Sequence, residues 1–264
     1  MNPQLESMLR LGFFLGGLLL FFSLGRFFPI RQQTVPFNQE RWFNNILLTL
    51  LNSLLVRIIF GAMLFNLSIW ANQHHVGLLA LFPIDSLLMN VLVSFLFFDL
   101  VIYWQHRLFH RLPWPWRLHR LHHSDVEFDT TTALRFHPLE IMISMLVKML
   151  AVIAIGANPL AIVVFEIGLN LSAMFNHANI QLPAPLEKWA RYLLITPDLH
   201  RIHHSIDKNE HHRNFGFCLS WWDYLFSSWC GRGQKADQVM AIGLPDFRSP
   251  KDHSLWAMLR QPWR

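Results

Sequence analysis

Ser86-Leu-Leu-Met-Asn-Val-Leu-Val-Ser-Phe-Leu-Phe-Phe-Asp99-Leu-Val-Ile-Tyr-Trp104 is long and apolar enough to cross a bilayer, and Gln105-His106-Arg107-Leu108-Phe109-His110 follows without a break. A hydrocarbon core asks for about 20 apolar residues in one helix, because every backbone amide must be satisfied within the segment. Residues 11–28, 46–71, 139–155 and 161–175 have the same character, the last two separated by Gly156-Ala157-Asn158-Pro159. The expected fold is all-α: a multi-span helical membrane protein with a cytoplasmic His-rich helical catalytic region. It has five crossings if the last pair spans, four if that pair is a re-entrant hairpin. Residues 11–28 also resemble a signal peptide, but Phe27-Phe28-Pro29-Ile30-Arg31 offers no small-residue cleavage site, so a span is expected.

Composition agrees. Hydrophobic residues make up 53% of the 264 and charged residues 15%, against about 25% charged in a soluble domain. Mean hydropathy is +0.28. A water-solvated globule and a disordered chain are both excluded. Two cysteines, Cys218 and Cys230, exclude a disulfide scaffold and a Cys-rich zinc module. The net charge of +5 fits a membrane surface; nothing else supports nucleic-acid binding.

The Lys and Arg residues alternate by loop. Arg26, Arg31 and Arg41 lie near the first connection, and Arg107, Arg111, Arg117, Arg120 and Arg135 near the third. Residues 72–85 and 156–159 have none, while the chain after Asn176 is rich in both. The bias predicts a cytoplasmic C-terminus with the histidines on that side, and an outside N-terminus. A bacterial inner membrane is the expected location. The expected division is 1–85 for N-terminal spans, 86–236 for the catalytic region with its own spans, and 237–264 for a tail whose residues 254–260 form an interfacial helix. Arg57, inside the second apolar stretch, needs a partner or a route to the interface.

Fifteen histidines are the second anomaly. His119-Arg120-Leu121-His122-His123-Ser124 returns as His200-Arg201-Ile202-His203-His204-Ser205. Positions i, i+3 and i+4 share a helix face, so each repeat is expected to aim three imidazoles one way. With His106 and His110 the clusters hold eight imidazoles, and His177 is a ninth. Imidazole suits zinc, copper, iron and nickel. Nine is too many for one ion and enough for two. His74 and His75 fall in the opposite loop, His211 and His212 are expected at the surface, and His253 in a structural or solvated role. No His-Glu-x-x-His motif, pair of Glu-x-x-His motifs, phosphate loop or nucleophile elbow occurs.

The order His-x3-His, His-x2-His-His, His-x2-His-His on a multi-span chain resembles the fatty acid hydroxylase / sterol desaturase superfamily of integral-membrane non-haem di-iron oxygenases. Matching stretches run from Asp99-Leu-Val-Ile-Tyr103 through Arg135-Phe-His-Pro138 and Phe175-Asn-His177-Ala-Asn179 to Trp222-Asp-Tyr-Leu-Phe226. The resemblance implies that His106, His110, His119, His122, His123, His177, His200, His203 and His204 are metal ligands. It implies two iron ions, with zinc a possible substitute, and dioxygen as co-substrate. The implied reaction is oxidation of a C–H bond in a membrane lipid or sterol-like substrate, hydroxylation ahead of desaturation. No flavin, haem or ferredoxin motif is present, so a separate ferredoxin- or cytochrome-type donor is expected at the Arg-rich loops. Ala173 stands where the fatty acid 2-hydroxylase branch carries a histidine, and the three-residue gap of the first motif is nearer the sterol-modifying branch. A zinc-dependent hydrolase and a non-catalytic metal-binding membrane protein are the alternative readings.

Three further residues carry expectations. His137 is either a tenth ligand or a contact that orients one. Asp99 either accepts an imidazole N–H, fixing its tautomer, or pairs with Arg57. Glu166 pairs with Lys148 across the last two apolar segments.

Overall fold

A computed structural model describes residues 3–264. Its long helices are α1 (Pro3–Phe27), α2 (Asn38–Ile59), α5 (Leu87–Arg111), α7 (Pro138–Ile155) and α8 (Pro159–Asn176), with α3 (Met63–Gln73) and the single-turn α4 (Leu78–Leu81) between α2 and α5. Five helical segments are long and apolar enough to cross a membrane, α2 to α4 counting as one. The shorter helices are α6 (Pro113–His123), α9 (Ala184–Ala190), α10 (Pro197–His203), α11 (Lys208–His211), α12 (Trp221–Leu225) and α13 (Leu255–Arg260). The chain is a helical membrane protein.

Local chemistry sets the ends of these helices. Ser86 Oγ accepts from Met89 N to start α5, which runs past Trp104 to carry His106 and His110; Pro113 then opens α6. Pro138 begins α7, and Gly156, at φ +69°, ends it, a left-handed cap that glycine adopts without cost. Asn158 Oδ1 accepts from Leu160 N to cap α8. Where a single second span was expected, the helix breaks at Phe60–Gly61–Ala62. The break leaves Arg57 exposed in the last turn of α2, where a cation meets the carbonyl end of the helix dipole.

α8 packs against α1, α3 and α5. Phe98, Ile102, Val152, Ile162 and Phe165 form the main apolar core. The outward faces stay apolar, with Leu19, Ile58, Leu88 and Leu150 exposed. Such a surface suits hydrocarbon. A Cβ on Gly77 would lie 2.3 Å from the Gly156 amide, so the 72–85 connection abuts the α7–α8 turn. The clustered histidines occupy the opposite end of the bundle.

At that end the N-terminal helices are tied to the rest. Buried Arg41 pairs with Asp125 at 2.7 Å and with Asp129. Asn45 donates to Asp125 and Thr131, and Arg135 donates to Asn45 Oδ1 and Leu121 O. Burial would raise the Asp125 carboxyl, but Arg41 and Arg135 outweigh it and hold the group below its usual range. The 237–264 tail packs on this end too. Met258 of α13 is fully buried against Leu48 and Leu121, and Arg120 donates to Gln261 O. Apolar burial, rather than lipid attraction, anchors this segment, although Trp256 still faces outward.

Candidate metal centre

Nine imidazoles, none more than 7% exposed, meet where α5, α6, α8 and α10 converge. They fall into two groups whose possible ligand atoms lie within 4.8 Å of one another: His106, His110, His119, His123 and His203, then His122, His177, His200 and His204. The groups abut, with the His123 and His204 rings stacked at 4.4 Å.

Each repeat serves both groups. His119 and His123 join the first group while His122, between them, joins the second. In the later repeat the sense reverses: His200 and His204 join the second group and His203 the first. The expectation that each repeat aims three imidazoles one way is corrected by helix rotation. Successive residues turn about 100°, so i+3 and i+4 diverge by that angle.

The tautomers are set from outside. His106 Nδ1 donates to Phe215 O at 2.8 Å, His203 Nδ1 to Arg213 O at 2.7 Å, and His177 Nδ1 to Ala173 O at 2.7 Å. His119 Nδ1 donates to Glu140 Oε1 at 2.6 Å. A neutral imidazole that donates through Nδ1 presents a bare lone pair at Nε2. Two such lone pairs face each other across 3.0 Å at His106 and His203, and His177 Nε2 lies 3.1 to 3.2 Å from the Nε2 atoms of His122, His200 and His204, whose Nδ1 atoms have no partner. Nitrogens sharing one ion at about 2.1 Å sit about 3.0 to 3.4 Å apart. Burial, then the neighbouring His106, holds His203 well below the ordinary histidine range, so a proton does not relieve the repulsion of that pair near neutrality; burial likewise pushes His119 down to about 3 and His177 down to about 4. Buried nitrogens without a partner remain on His110, His119, His122, His123, His200 and His204. This donor set fits two imidazole-bound cations.

Several supports were not legible in the sequence. Glu140 lies in the first turn of α7, just beyond the His137-Pro138 pair, and no spacing rule links it to His119. The Phe215 and Arg213 carbonyls belong to a loop braced by Asp223, which accepts from Phe215 N at 2.8 Å and Gly216 N at 2.7 Å. Burial raises the Asp223 carboxyl to about 6. Asp99 neither accepts from a histidine nor pairs with Arg57. It accepts from Cys218 N, Leu219 N and the Trp222 indole, so it braces the same loop. His137 joins neither group: Nδ1 accepts from Leu139 N and Nε2 donates to Leu259 O, which commits both nitrogens elsewhere. His211, expected at the surface, is buried and stacked on Trp116 at 5.6 Å, close to His110; His212 is exposed. Lys148 does reach Glu166, at 2.7 Å.

A cavity of about 320 Å³ runs from His106 and His119 into the spans, walled by Phe109, Leu134, Phe136, Met145 and Leu169. Its size suits a small ligand or part of a lipid.

An all-helical membrane bundle with a buried, carboxylate-poor constellation of nine imidazoles defines a class of membrane metalloprotein. Residues 91–228 match the family model described as fatty acid hydroxylase, and the chain belongs to that family, an iron-dependent oxygenase class. Similar proteins include human alkylglycerol monooxygenase, 29% identical over 54% of this chain and 31% of its own length. Ornithine lipid hydroxylase of Rhizobium tropici is 29% identical over 53% of this chain and 41% of its own. Rat cholesterol 25-hydroxylase is 24% identical over 55% and 48%. The chain thus spans about a third to a half of the length of these curated relatives. No solved structure matches.

Proposed function

We propose that the chain is a membrane lipid hydroxylase that holds two iron ions with His106, His110, His119, His123 and His203 on one side and His122, His177, His200 and His204 on the other. The carrying observation is the facing of unprotonated Nε2 atoms, above all His106 and His203, beside an apolar cavity. Family membership favours iron over zinc, which imidazole alone does not distinguish. The similar proteins, named as lipid or sterol hydroxylases, favour hydroxylation and a lipid substrate.

Bound iron would supply the reduction of dioxygen and the removal of hydrogen from an unactivated C–H bond. The protein's share is geometric and electrostatic. The Phe215, Arg213 and Ala173 carbonyls and Glu140 each hold a proton at Nδ1 and turn Nε2 inward. The apolar walls orient the acyl or ring portion of the substrate and exclude water. Electrons come from a separate donor. Arg111 and Arg117, exposed in the segment that follows buried His110, suit an acidic ferredoxin or cytochrome. The Lys and Arg bias supports a cytoplasmic setting for this end.

Oxidation in labelled dioxygen tests the reading. Reduced, iron-loaded protein in lipid nanodiscs incorporates the label into a lipid if it is a hydroxylase. A desaturase leaves the label in water, and lipid modification at full rate without dioxygen sinks the oxygenase and revives a zinc hydrolase.

A further inference from the structure

The far end of the cavity holds charges at mid-membrane. Lys148 of α7 donates to Glu166 Oε1 at 2.7 Å, and Arg10 of α1 reaches Glu166 Oε2 at 2.8 Å. All three line the cavity that also touches His106 and His119. Glu166 is 4% exposed and Lys148 14%. Lys148 and Glu166 sit near the middle of helices long and apolar enough to cross the bilayer. Ionised groups there are expensive, and they persist where they meet a substrate or a coupled partner. Fixing the helices together would not require charge, since apolar or small residues do that at lower desolvation cost.

Charge arithmetic narrows the ligand. Arg10 also pairs with buried Glu6 at 2.7 Å, so two cations meet two carboxylates and the set is neutral. A carboxylate or phosphate arriving there would leave an unbalanced anion in hydrocarbon. An ammonium of Lys carries three donors, and among the described residues Glu166 is the acceptor recorded for Lys148. Its remaining N–H groups are free to meet an uncharged oxygen. Lys148 stands about 12 Å along α7 from Glu140, the partner of His119, at 1.5 Å per residue. A lipid gripped at one end would therefore present a carbon well down its chain to the imidazoles.

We propose that Lys148, positioned by Glu166 and Arg10, is a specificity subsite for the uncharged hydroxyl of a lipid alcohol, and that it sets which carbon reaches the histidines. The proposal rests on the lipid-oxidising reading above for its second half, and on the cavity alone for its first.

The test is photolabelling of the purified full chain in nanodiscs, without reductant so that no turnover occurs. The probe is a hexadecan-1-ol carrying a mid-chain diazirine. Unlabelled hexadecan-1-ol is expected to displace it about tenfold better than hexadecane or hexadecanoate, the margin of one lost hydrogen bond. The paired variant Lys148→Met/Glu166→Gln leaves Arg10 balanced by Glu6. It is expected to lower labelling about tenfold at unchanged metal content, while Lys148→Arg keeps labelling. Equal displacement by hexadecane, preferred displacement by hexadecanoate, or undiminished labelling of a folded paired variant each overturns the subsite. Competition in the unmodified protein decides alone if the paired variant does not fold. Alcohol-selective labelling by a protein that oxidises no lipid would sink the hydroxylase and leave the subsite standing.

Discussion

The Nε2 atoms of His106 and His203 lie 3.0 Å apart although both rings spend their Nδ1 protons on backbone carbonyls, Phe215 and Arg213. Two lone pairs at that distance repel unless a cation lies between them. A variant of either residue should therefore show first in metal content. His203→Ala is expected to lose at least about half of the bound iron and about a hundredfold or more of the oxidising activity. His75→Ala, in the exposed connection at the other end, should change neither. Elemental analysis of the two purified variants checks this; equal iron in both would refute the ligand assignment.

Glu140 would act on a bound metal through His119, not by itself. Glu140→Ala removes the acceptor that fixes the His119 tautomer, and a loss of about 10- to 100-fold in metal affinity is expected. Glu140→Gln keeps an acceptor oxygen and should recover much of that loss. Chelator competition measures both.

Acid should unfold the metal-stripped protein earlier than carboxylate titration alone would. Burial holds folded His119 at about 3 and His177 at about 4, whereas unfolded histidine takes up a proton near 6.5. Between those values the unfolded chain binds more protons, so stability falls as pH drops from about 6.5 to about 4. Asp223 works the other way: its carboxyl, raised by burial to about 6, relieves a folding cost as pH drops through the same window. Burial raises Asp198 as well, but these few carboxyls against many depressed imidazoles leave the histidines in control. Thermal melts of chelator-stripped protein across this range should show the midpoint descending with acid, and a flat profile would count against the burial described.

Met258→Ala, which removes no imidazole, should destabilise the histidine end. Met258 is fully buried against Leu48 of α2 and Leu121 of α6. A loss of about 2 to 4 kcal/mol is expected from the cavity left behind. Because Leu121 precedes His122, iron retention at raised temperature should fall too, and differential scanning calorimetry with iron analysis can follow both.

Local signals in the sequence were enough to place α7 and α8. Pro138, Gly156, Asn158 and Pro159 punctuate them, and the expected residues 139–155 and 161–175 fall just inside the observed helices. The clustering of eight histidines was legible in the same way, from i, i+3 and i+4 spacing, whereas His177, alone in the chain, entered the ligand set through the family resemblance. Contacts between distant segments were not. Nothing near Asp99 in the chain says that its partners are the Cys218 and Leu219 amides. Nothing near His137 says that Leu259 returns to take its proton. The break at Phe60–Gly61–Ala62 carries no such signal, because the three residues are apolar and hydropathy does not register a change of direction.

The reversed allocation of the two repeats has a consequence for loading. An ion entering either group would immobilise α6 and α10 together, and those helices already carry ligands of the other group. Much of the ordering cost of the second ion would then be met by the first, which makes occupancy cooperative. Titration of stripped protein with ferrous iron should pass from empty to doubly filled with few singly filled molecules, a steep isotherm where independent sites would give a shallow one.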